Sequence, residues 1–454
     1  MRKSTPLLML SCLAIALLLL ASPAQASTTW YVDDDGGADF TTIQDAVNAS
    51  TEGDTIIVRD GTYYENVVVN KSLTIRSENG SDFTTVQPSA AAGFKITADY
   101  VNISGFTVKG QGPYTYDPEW LGKVISHGFD IDHSNYCTIT ENTALCCGYG
   151  IHVGWYSDNN TVSHNNCSWN RDHGIKLDYS DNNTISHNIC RGTWHDDNID
   201  LTASTNNVIS DNICIDGWDD GIYLSGSSYN TIVNNTCENN AEIGIHLTGP
   251  SNTILNNTIS INSSRTQQGG ITLCGNNTVM YNTITYTAYN VTYNIETLGN
   301  GGICSGENSI IYLNSNLDNV GYGSSANIWN STEMITYTYN GNTYTNYLGN
   351  YWGKYNGTDA DGDGIGDTPY YIESTEYDYY PLMEPFEHYF GLLGDVNNDG
   401  VVNVLDATKV KNRAGNPFYP LDNEWAADVN SDGIINVLDA TKVKNRAADP
   451  NYPW

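Results

Sequence analysis

The chain is short of positive charge: 19 Lys and Arg stand against 52 Asp and Glu, a formal net charge of −33 over 454 residues. That balance excludes a nucleic-acid binder and disfavours polyanionic partners, because a phosphate track needs basic residues to displace its counterions. Methionine is scarce as well. Beyond the first few residues only Met280, Met334 and Met383 occur, and there is no Met-rich or His-rich tract, so a soft-metal site has little to draw on. Long apolar runs are confined to Pro6–Leu20. Arg2 and Lys3 precede that run and Ala24-Gln25-Ala26 follows it, so residues 1–26 read as a signal peptide. No later stretch is apolar enough to span a bilayer, and the expectation is an exported protein, extracellular or associated with the cell surface.

What is abundant is repetition. Gly150-Ile151-His152-Val153, Gly174-Ile175-Lys176-Leu177, Asn198-Ile199-Asp200-Leu201, Gly221-Ile222-Tyr223-Leu224 and Gly244-Ile245-His246-Leu247 recur with isoleucines 24, 24, 23 and 23 residues apart. A second short apolar segment follows each, as in Thr161-Val162, Thr184-Ile185 and Val208-Ile209. Alternation over three or four positions signals strand, and the Asn, Ser, Asp and Gly between strands signal turns. A unit of this size cannot bury its apolar face alone, so successive units must stack as coils at about 4.8 Å. The fold class expected is all-β, a right-handed parallel β-helix over residues 27–390. A short helix bearing Phe40, Ile43, Ala46 and Val47 would cover its open first edge.

Stacking turns periodic residues into columns. Asn165, Asn188, Asn212, Asn235, Asn257 and Asn282 form one, where amides can bond along the stack. Cys167, Cys190, Cys214 and Cys237 form another, continued by Ile259 and Ile284. Replacement by isoleucine marks an inward apolar position, so free thiols acting as small core hydrophobes are expected. Disulfides between neighbouring coils and metal binding are the alternatives. The Asn-X-Ser/Thr sequons follow from the turn composition, and glycosylation is open to an exported chain.

An outward column runs Asp130, His152, Lys176, Asp200, Tyr223, His246 and Thr272, and acids and histidines precede the strands nearby. Asp172, His173, Lys176, His195, Asp196, Asp197, Asp200, Asp219, Asp220 and Tyr223 are the candidate catalytic residues. A lyase or epimerase needs a base, an acid and a cation facing a uronate carboxylate, whereas an inverting hydrolase needs two carboxylates about 6.5–9.5 Å apart. Trp155, Trp169, Trp194 and Trp218 fall in the neighbouring turns, where aromatic faces can stack on pyranose rings. A polar outward column with no catalytic role, and a non-catalytic sugar groove, are the competing readings.

The tail has the most specific chemistry. Asp395, Asn397, Asp399, Asn403 and Asp406 occupy positions 1, 3, 5, 9 and 12 of a calcium loop, Gly400 sits at the sharp turn, and Val401 would give a backbone carbonyl. Asp428, Asn430, Asp432, Ile434, Asn436 and Asp439 repeat the pattern 33 residues later, around Gly433. Oxygen ligands in that number suit Ca²⁺. A third acidic turn, Asp359, Asp361, Asp363 and Asp367, alternates ligands with glycines but has Tyr370 where a closing carboxylate would stand.

Two resemblances bear on these segments. The stretch "ADFTTIQDAVNASTEGDTIIVRDGTYYENVVVNKSLTI", with Asn350-Tyr351-Trp352-Gly353 and "GTDADGDGIGDTPYYI", resembles NosD-like and pectinesterase-like β-helix proteins over about residues 28–387. It implies the fold and leaves the activity open, since one fold hosts many functions. The pectinesterase aspartate motifs are absent. Asp196-Asp197 and Asp172-His173-Gly174 echo polygalacturonase segments in reversed order, without the Arg-Ile-Lys segment that should follow. The copper role implied by the NosD name finds no ligand tract. The tandem loops of residues 394–454, with "NVLDATKVKNRA" repeated identically, resemble a type I dockerin. That implies a cohesin partner on a scaffold or surface protein. By that resemblance Val404, Leu405, Lys411 and Asn412, with Val437, Leu438, Lys444 and Asn445, would make the contact. An extracellular polysaccharide is the other partner expected.

Overall fold

The computed structural model describes residues 27–89, 91–112, 126–261, 269–286, 293–297, 309–317, 320–321, 327–340, 342–373, 376–390, 396, 402–416, 419–421, 427, 429 and 435–448. Strands mostly three to six residues long coil into a parallel β-solenoid with three faces. One face is a 12-stranded sheet that begins at Thr29–Val32 and ends at Ile310–Tyr312. A second is an 11-stranded sheet from Val67–Val69 to Val320–Gly321. The third has four and five strands, joined through single bridges from Thr143 to Asn166 and from Asn166 to Ile189. The expected register holds: Ile151 pairs with Ile175, Ile175 with Ile199, Ile199 with Ile222 and Ile222 with Ile245.

Inward side chains make one continuous core from Val32 to Ile311, and the cysteine column lies within it. Cys167, Cys190, Cys214 and Cys237 are free thiols with almost no exposed surface, and burial raises the pKa of Cys167 and Cys214. Close packing favours glycine before the inward isoleucines at 151, 175, 222 and 245, while Asn198 stands before Ile199. A Cβ on Gly174 would stand 2.7 Å from the Asn198 carbonyl oxygen and 2.8 Å from Cys190 Sγ.

The asparagine column is longer than its sequence spacing suggested. It runs through Asn142, Asn165, Asn188, Asn212, Asn235, Asn257, Asn282, Asn314 and Asn350, each Nδ2 within 3.3 Å of the next Oδ1. Each Oδ1 also accepts a backbone N–H from the coil before, as Asn212 does from Asn188 at 2.9 Å. A second asparagine ladder (Asn160, Asn183, Asn207, Asn230, Asn252 and Asn277) lines the next turn. Just before members of the longer ladder the chain enters the left-handed region at His164, His187, Asp211, Asn234 and Asn256, residue types that tolerate it best.

Both ends of the stack are closed by side chains. The helix Ile43–Ala49 buries Ile43, Ala46 and Val47, while Phe40 lies before the helix and packs edge-to-face on Trp30. Gln44 exchanges two hydrogen bonds with the backbone of Val68, occupying the open edge of the second face as a neighbouring strand would. At the far end the long ladder stops on the buried carboxylate of Asp378, which accepts from Asn350 N–H at 2.7 Å and Trp352 Nε1 at 2.8 Å. Further along, the helices Val404–Gly415 and Val437–Ala448 pack around Val410 and Val443.

The ladder makes a stability prediction. Asn212→Leu would strand the buried Asn188 backbone N–H, take one of two acceptors from Asn188 Nδ2, and remove the side-chain donor to the Ile185 carbonyl and Asn235 Oδ1. A loss of about 3 kcal/mol or more is expected in urea unfolding, at about 1–3 kcal/mol for each orphaned group. Replacing an exposed turn residue such as Asp82 should leave the midpoint within about 0.5 kcal/mol.

Candidate functional site on the second face

Strands Tyr149–Gly154, His173–Asp178, Ile199–Thr202, Ile222–Ser225 and Ile243–Leu247 lie side by side on the second face. Alternation sends Ile175 and Leu177 inward and Lys176 outward, with copies above and below. The outward column is confirmed by register: Asp130 on His152, His152 on Lys176, Lys176 on Asp200, Asp200 on Tyr223 and Tyr223 on His246. Although outward, most of it is buried. His152, Lys176, Asp200 and Thr272 each expose under a tenth of their surface.

The first part of this face is charge-paired. His152 places Nδ1 2.9 Å from Asp130 and Nε2 3.1 Å from Asp178. Burial opposes its charge, but the two carboxylates outweigh burial and raise the imidazole to about 9. Lys176 Nζ lies 2.8 Å from Asp200 Oδ1, 2.8 Å from Thr202 Oγ1 and 3.6 Å from Asp178. Burial lifts Asp200 to about 6 in spite of that lysine.

The second part is acid-rich. His173 Nε2 is 3.4 Å from Asp196 and 3.8 Å from Asp200, and its Nδ1 is 4.0 Å from Asp197. Burial drives this imidazole down to about 3, so it is neutral at ordinary pH. Burial, then the neighbouring Asp220, Asp196 and Asp200, raise Asp197 far above the carboxylate range. Asp172 is raised by burial too, and its Oδ1 sits 3.4 Å from His195 Nδ1 and 3.4 Å from Arg171 Nε. Asp220 faces His246 at 2.8 Å, and Tyr223 packs on the same imidazole with ring centroids 4.8 Å apart.

The structure therefore gathers all ten candidates on one face, but in two layers. His173, Lys176, Asp197, Asp200 and Asp220 are buried beneath the surface; Asp172, His195, Asp196, Asp219 and Tyr223 reach solvent. Reasoning from the sequence missed several neighbours. Tyr149 and His127 stand directly before His173 in its own column, Asp178 bridges His152 and Lys176, and Glu242 extends the acidic row. Extending each repeat one residue ahead of its glycine would have found Tyr149 and His127. Of the tryptophans, Trp155, Trp169 and Trp218 are exposed, and Trp155 stacks on Tyr179 at 5.2 Å. Trp194 is buried and offers no face to a sugar, because the turn that carries it folds back on the solenoid.

Metal candidates fall partly within the described residues. Ligand atoms of Asp359, Asp361 and Asp363 lie within 4.8 Å of one another. Asp367 turns away to accept from Thr358 and Ala360. Asn403, Asp406, Asn436 and Asp439 are described; both aspartates are buried, and Asp439 Oδ1 makes no hydrogen bond among the described residues. Asp395, Asn397, Asp399, Val401, Asp428, Asn430, Asp432 and Ile434 lie outside the described residues. Val404, Leu405, Val437 and Leu438 are each more than half exposed, with Lys411, Asn412 and Lys444 also exposed and Asn445 partly so.

The paired part of the face has a pH signature. His152 is charged in the folded state up to about pH 9, against about 6.5 when unfolded. Its contribution is complete below about pH 6.5 and disappears as pH rises through 9, amounting to no more than about 3 kcal/mol. In His152→Gln, the decline in thermal midpoint between pH 6.5 and 9 should be shallower than in the parent; an equal decline would show the pair contributes nothing.

The profile of the periplasmic copper-binding protein (NosD) family matches residues 47–188 and 96–357, and that of the dockerin type I domain matches residues 393–447. A cell surface glycoprotein of Methanothermus fervidus is 36% identical over 145 residues, which is 32% of this chain and 21% of that protein. The chain thus aligns with about a fifth of the curated relative's length. The Azotobacter vinelandii mannuronan C-5 epimerase AlgE6 A-module superposes with a TM-score of 0.50 at 16% identity, covering 63% of this chain and 89% of that one. An alginate lyase from Paenibacillus sp. str. FPU-7 gives a TM-score of 0.43 at 17% identity, covering 59% of this chain and 97% of that one. The likeness to the epimerase module is one of fold alone. Copper does not fit the residues present: the ladder thiols are sealed in the core, Met334 is exposed on a segment of its own, and the clustered outward ligands are carboxylates with a single imidazole. Among the described residues no helix is long and apolar enough to cross a membrane. Proteins of these two kinds are secreted or surface-associated. With more than half of its length inside the match, this chain belongs to the NosD family of parallel β-solenoid proteins, and it carries a dockerin type I domain after the solenoid.

Proposed function

We propose that this protein is a dockerin-borne, polysaccharide-modifying enzyme whose substrate lies across the outer face of residues 171–223. The observation that carries the reading is the two-layered face itself. Solvent-facing Asp172, His195, Asp196 and Tyr223 stand over a buried layer in which His173 is held neutral, Lys176 charged and Asp200 near 6. Groups with opposed protonation states in one site are the mark of acid–base work. Exposed Trp169 and Trp218 precede these strands, and the Trp155–Tyr179 stack follows the strands before and beside them, so aromatic faces rim the polar floor.

The chemistry best supported is proton removal beside a uronate carboxylate, as in a lyase or epimerase. One oxygen from each of Asp197, Asp219 and Asp220 lies within 4.8 Å of the others, closer than the roughly 6.5–9.5 Å that an inverting hydrolase needs for its water. His195, aligned by Asp172, and Asp196 are the exposed proton-transfer groups, and Tyr223 is within the same face to donate. The mannuronan C-5 epimerase module shares the fold, which agrees with this reading without carrying it.

For the tail, the proposal is two Ca²⁺ ions in the loops that end at Asp406 and Asp439, with a third at Asp359, Asp361 and Asp363. Calcium-dependent docking on a cohesin would use the exposed Val404–Leu405 and Val437–Leu438 pairs. The orphaned, buried Asp439 Oδ1 supports a cation there.

Two measurements check these readings. A panel of uronate and neutral polysaccharides should yield absorbance at about 235 nm, or solvent deuterium incorporated without cleavage. His195→Gln and Asp196→Asn, both at exposed positions, should each lower the rate about 100-fold or more. No turnover across the panel would favour an adhesive or architectural protein. Separately, EDTA should abolish the helical circular dichroism and protease resistance of residues 394–454 and leave the solenoid folded. A tail equally protected with and without chelator would sink the calcium proposal.

A further inference from the structure

The acidic half of the second face holds more negative charge than its neighbours balance. Up to Lys176 each cation meets carboxylates: Lys95 on Asp130 and Asp132, His152 on Asp130 and Asp178, Lys176 on Asp178 and Asp200. Beyond it, Asp196, Asp197, Asp219, Asp220 and Glu242 gather around two imidazoles, His173 beside Asp196 and Asp197 and His246 on Asp220. Ligand atoms of His173, Asp196 and Asp197 lie within 4.8 Å of one another, and so do those of Asp197, Asp219 and Asp220. Asp197 belongs to both groups.

A second observation points to an ion. His173 is 4% exposed, and its Nδ1 makes no hydrogen bond among the described residues. The tautomer protonated at Nε2 serves Asp196 and Asp200, at 3.4 and 3.8 Å. Nδ1 then faces Asp197 Oδ2 across 4.0 Å, too far for a hydrogen bond between them. A cation bonded at about 2.1 Å to each atom would fill that gap.

We propose that His173, Asp196 and Asp197 hold a divalent cation of the Mn²⁺ or Zn²⁺ class, and that Asp197 bridges it to a second cation position formed with Asp219 and Asp220. A mixed set of one imidazole and several carboxylates suits those ions over Cu⁺. The site deepens the polysaccharide reading, because a cation on an otherwise acidic face gives a uronate carboxylate somewhere to bind. Its existence does not depend on that reading.

The test uses the full chain saturated with Ca²⁺, so that the oxygen-only loops of the tail are filled, and no polysaccharide. Titration with Mn²⁺ followed by pulsed EPR should show two bound ions, one coupled to ¹⁴N. His173→Gln should erase the nitrogen coupling, and Asp219→Asn with Asp220→Asn should reduce two ions to one. Asp196→Asn, at the exposed edge, should weaken Mn²⁺ binding at least about tenfold while circular dichroism stays unchanged. No Mn²⁺ bound above the Ca²⁺-saturated background, or nitrogen coupling that persists in His173→Gln, would overturn the site. An unchanged count of two in the Asp219/Asp220 variant would overturn the bridge. Turnover without Mn²⁺ binding would remove this inference and leave the polysaccharide reading standing; Mn²⁺ binding without turnover would do the reverse.

Discussion

Backbone pairing between coils is the constraint from which the rest of this molecule follows. Once Ile151, Ile175, Ile199 and Ile222 are hydrogen-bonded neighbours, every other residue of a coil has its counterparts above and below at strand spacing. An apolar side chain then packs on its copies, which gives a core without long-range sequence complexity. A buried polar side chain faces a harder demand, since it can be satisfied only along the axis. The asparagine ladders meet that demand: each amide accepts from one coil and donates to the next. Their amides align head to tail, donors toward the C-terminal end, where the buried carboxylate of Asp378 takes the last N–H groups. These donated hydrogen bonds favour the charged carboxylate, but burial outweighs them and lifts Asp378 to about 7.

The same stacking that satisfies amides concentrates charge. Where cations and carboxylates intermingle on this face, as Asp130, His152, Asp178, Lys176 and Asp200 do, neighbours neutralise one another, and His152, Lys176 and Asp200 are buried. Where carboxylates crowd together, burial and then the neighbouring acids raise Asp196 and Glu242. The functional face is the boundary between these regimes. That boundary is also where a neutral imidazole, a fixed ammonium and protonatable carboxyls share a few ångströms, an arrangement that water alone does not favour.

Much of this was readable from spacing. The isoleucine interval gave the strand register, the isoleucines at 259 and 284 exposed the cysteines as core residues, and the Lys176–Asp200 neighbourhood followed directly. Other features were not readable, because they depend on how a turn folds back. Trp194 occupies the same repeat position as exposed tryptophans yet is buried, and Asp367 belongs to the acidic turn by sequence but points to Thr358. Tyr149 and His127 were overlooked because the repeat is marked by its glycine, and the paired strand begins one residue earlier at Tyr149.

The amino-acid sequence by itself determined the period, and a period of some two dozen residues with apolar alternation leaves few alternatives to a stack of coils. It also determined which residue types share a column, since columns are an arithmetic consequence of the period. Only the tertiary structure decided which outward groups meet solvent and which lie beneath them. Depth is set by the paths of the turns around the face, and those paths differ from coil to coil while the strand register does not.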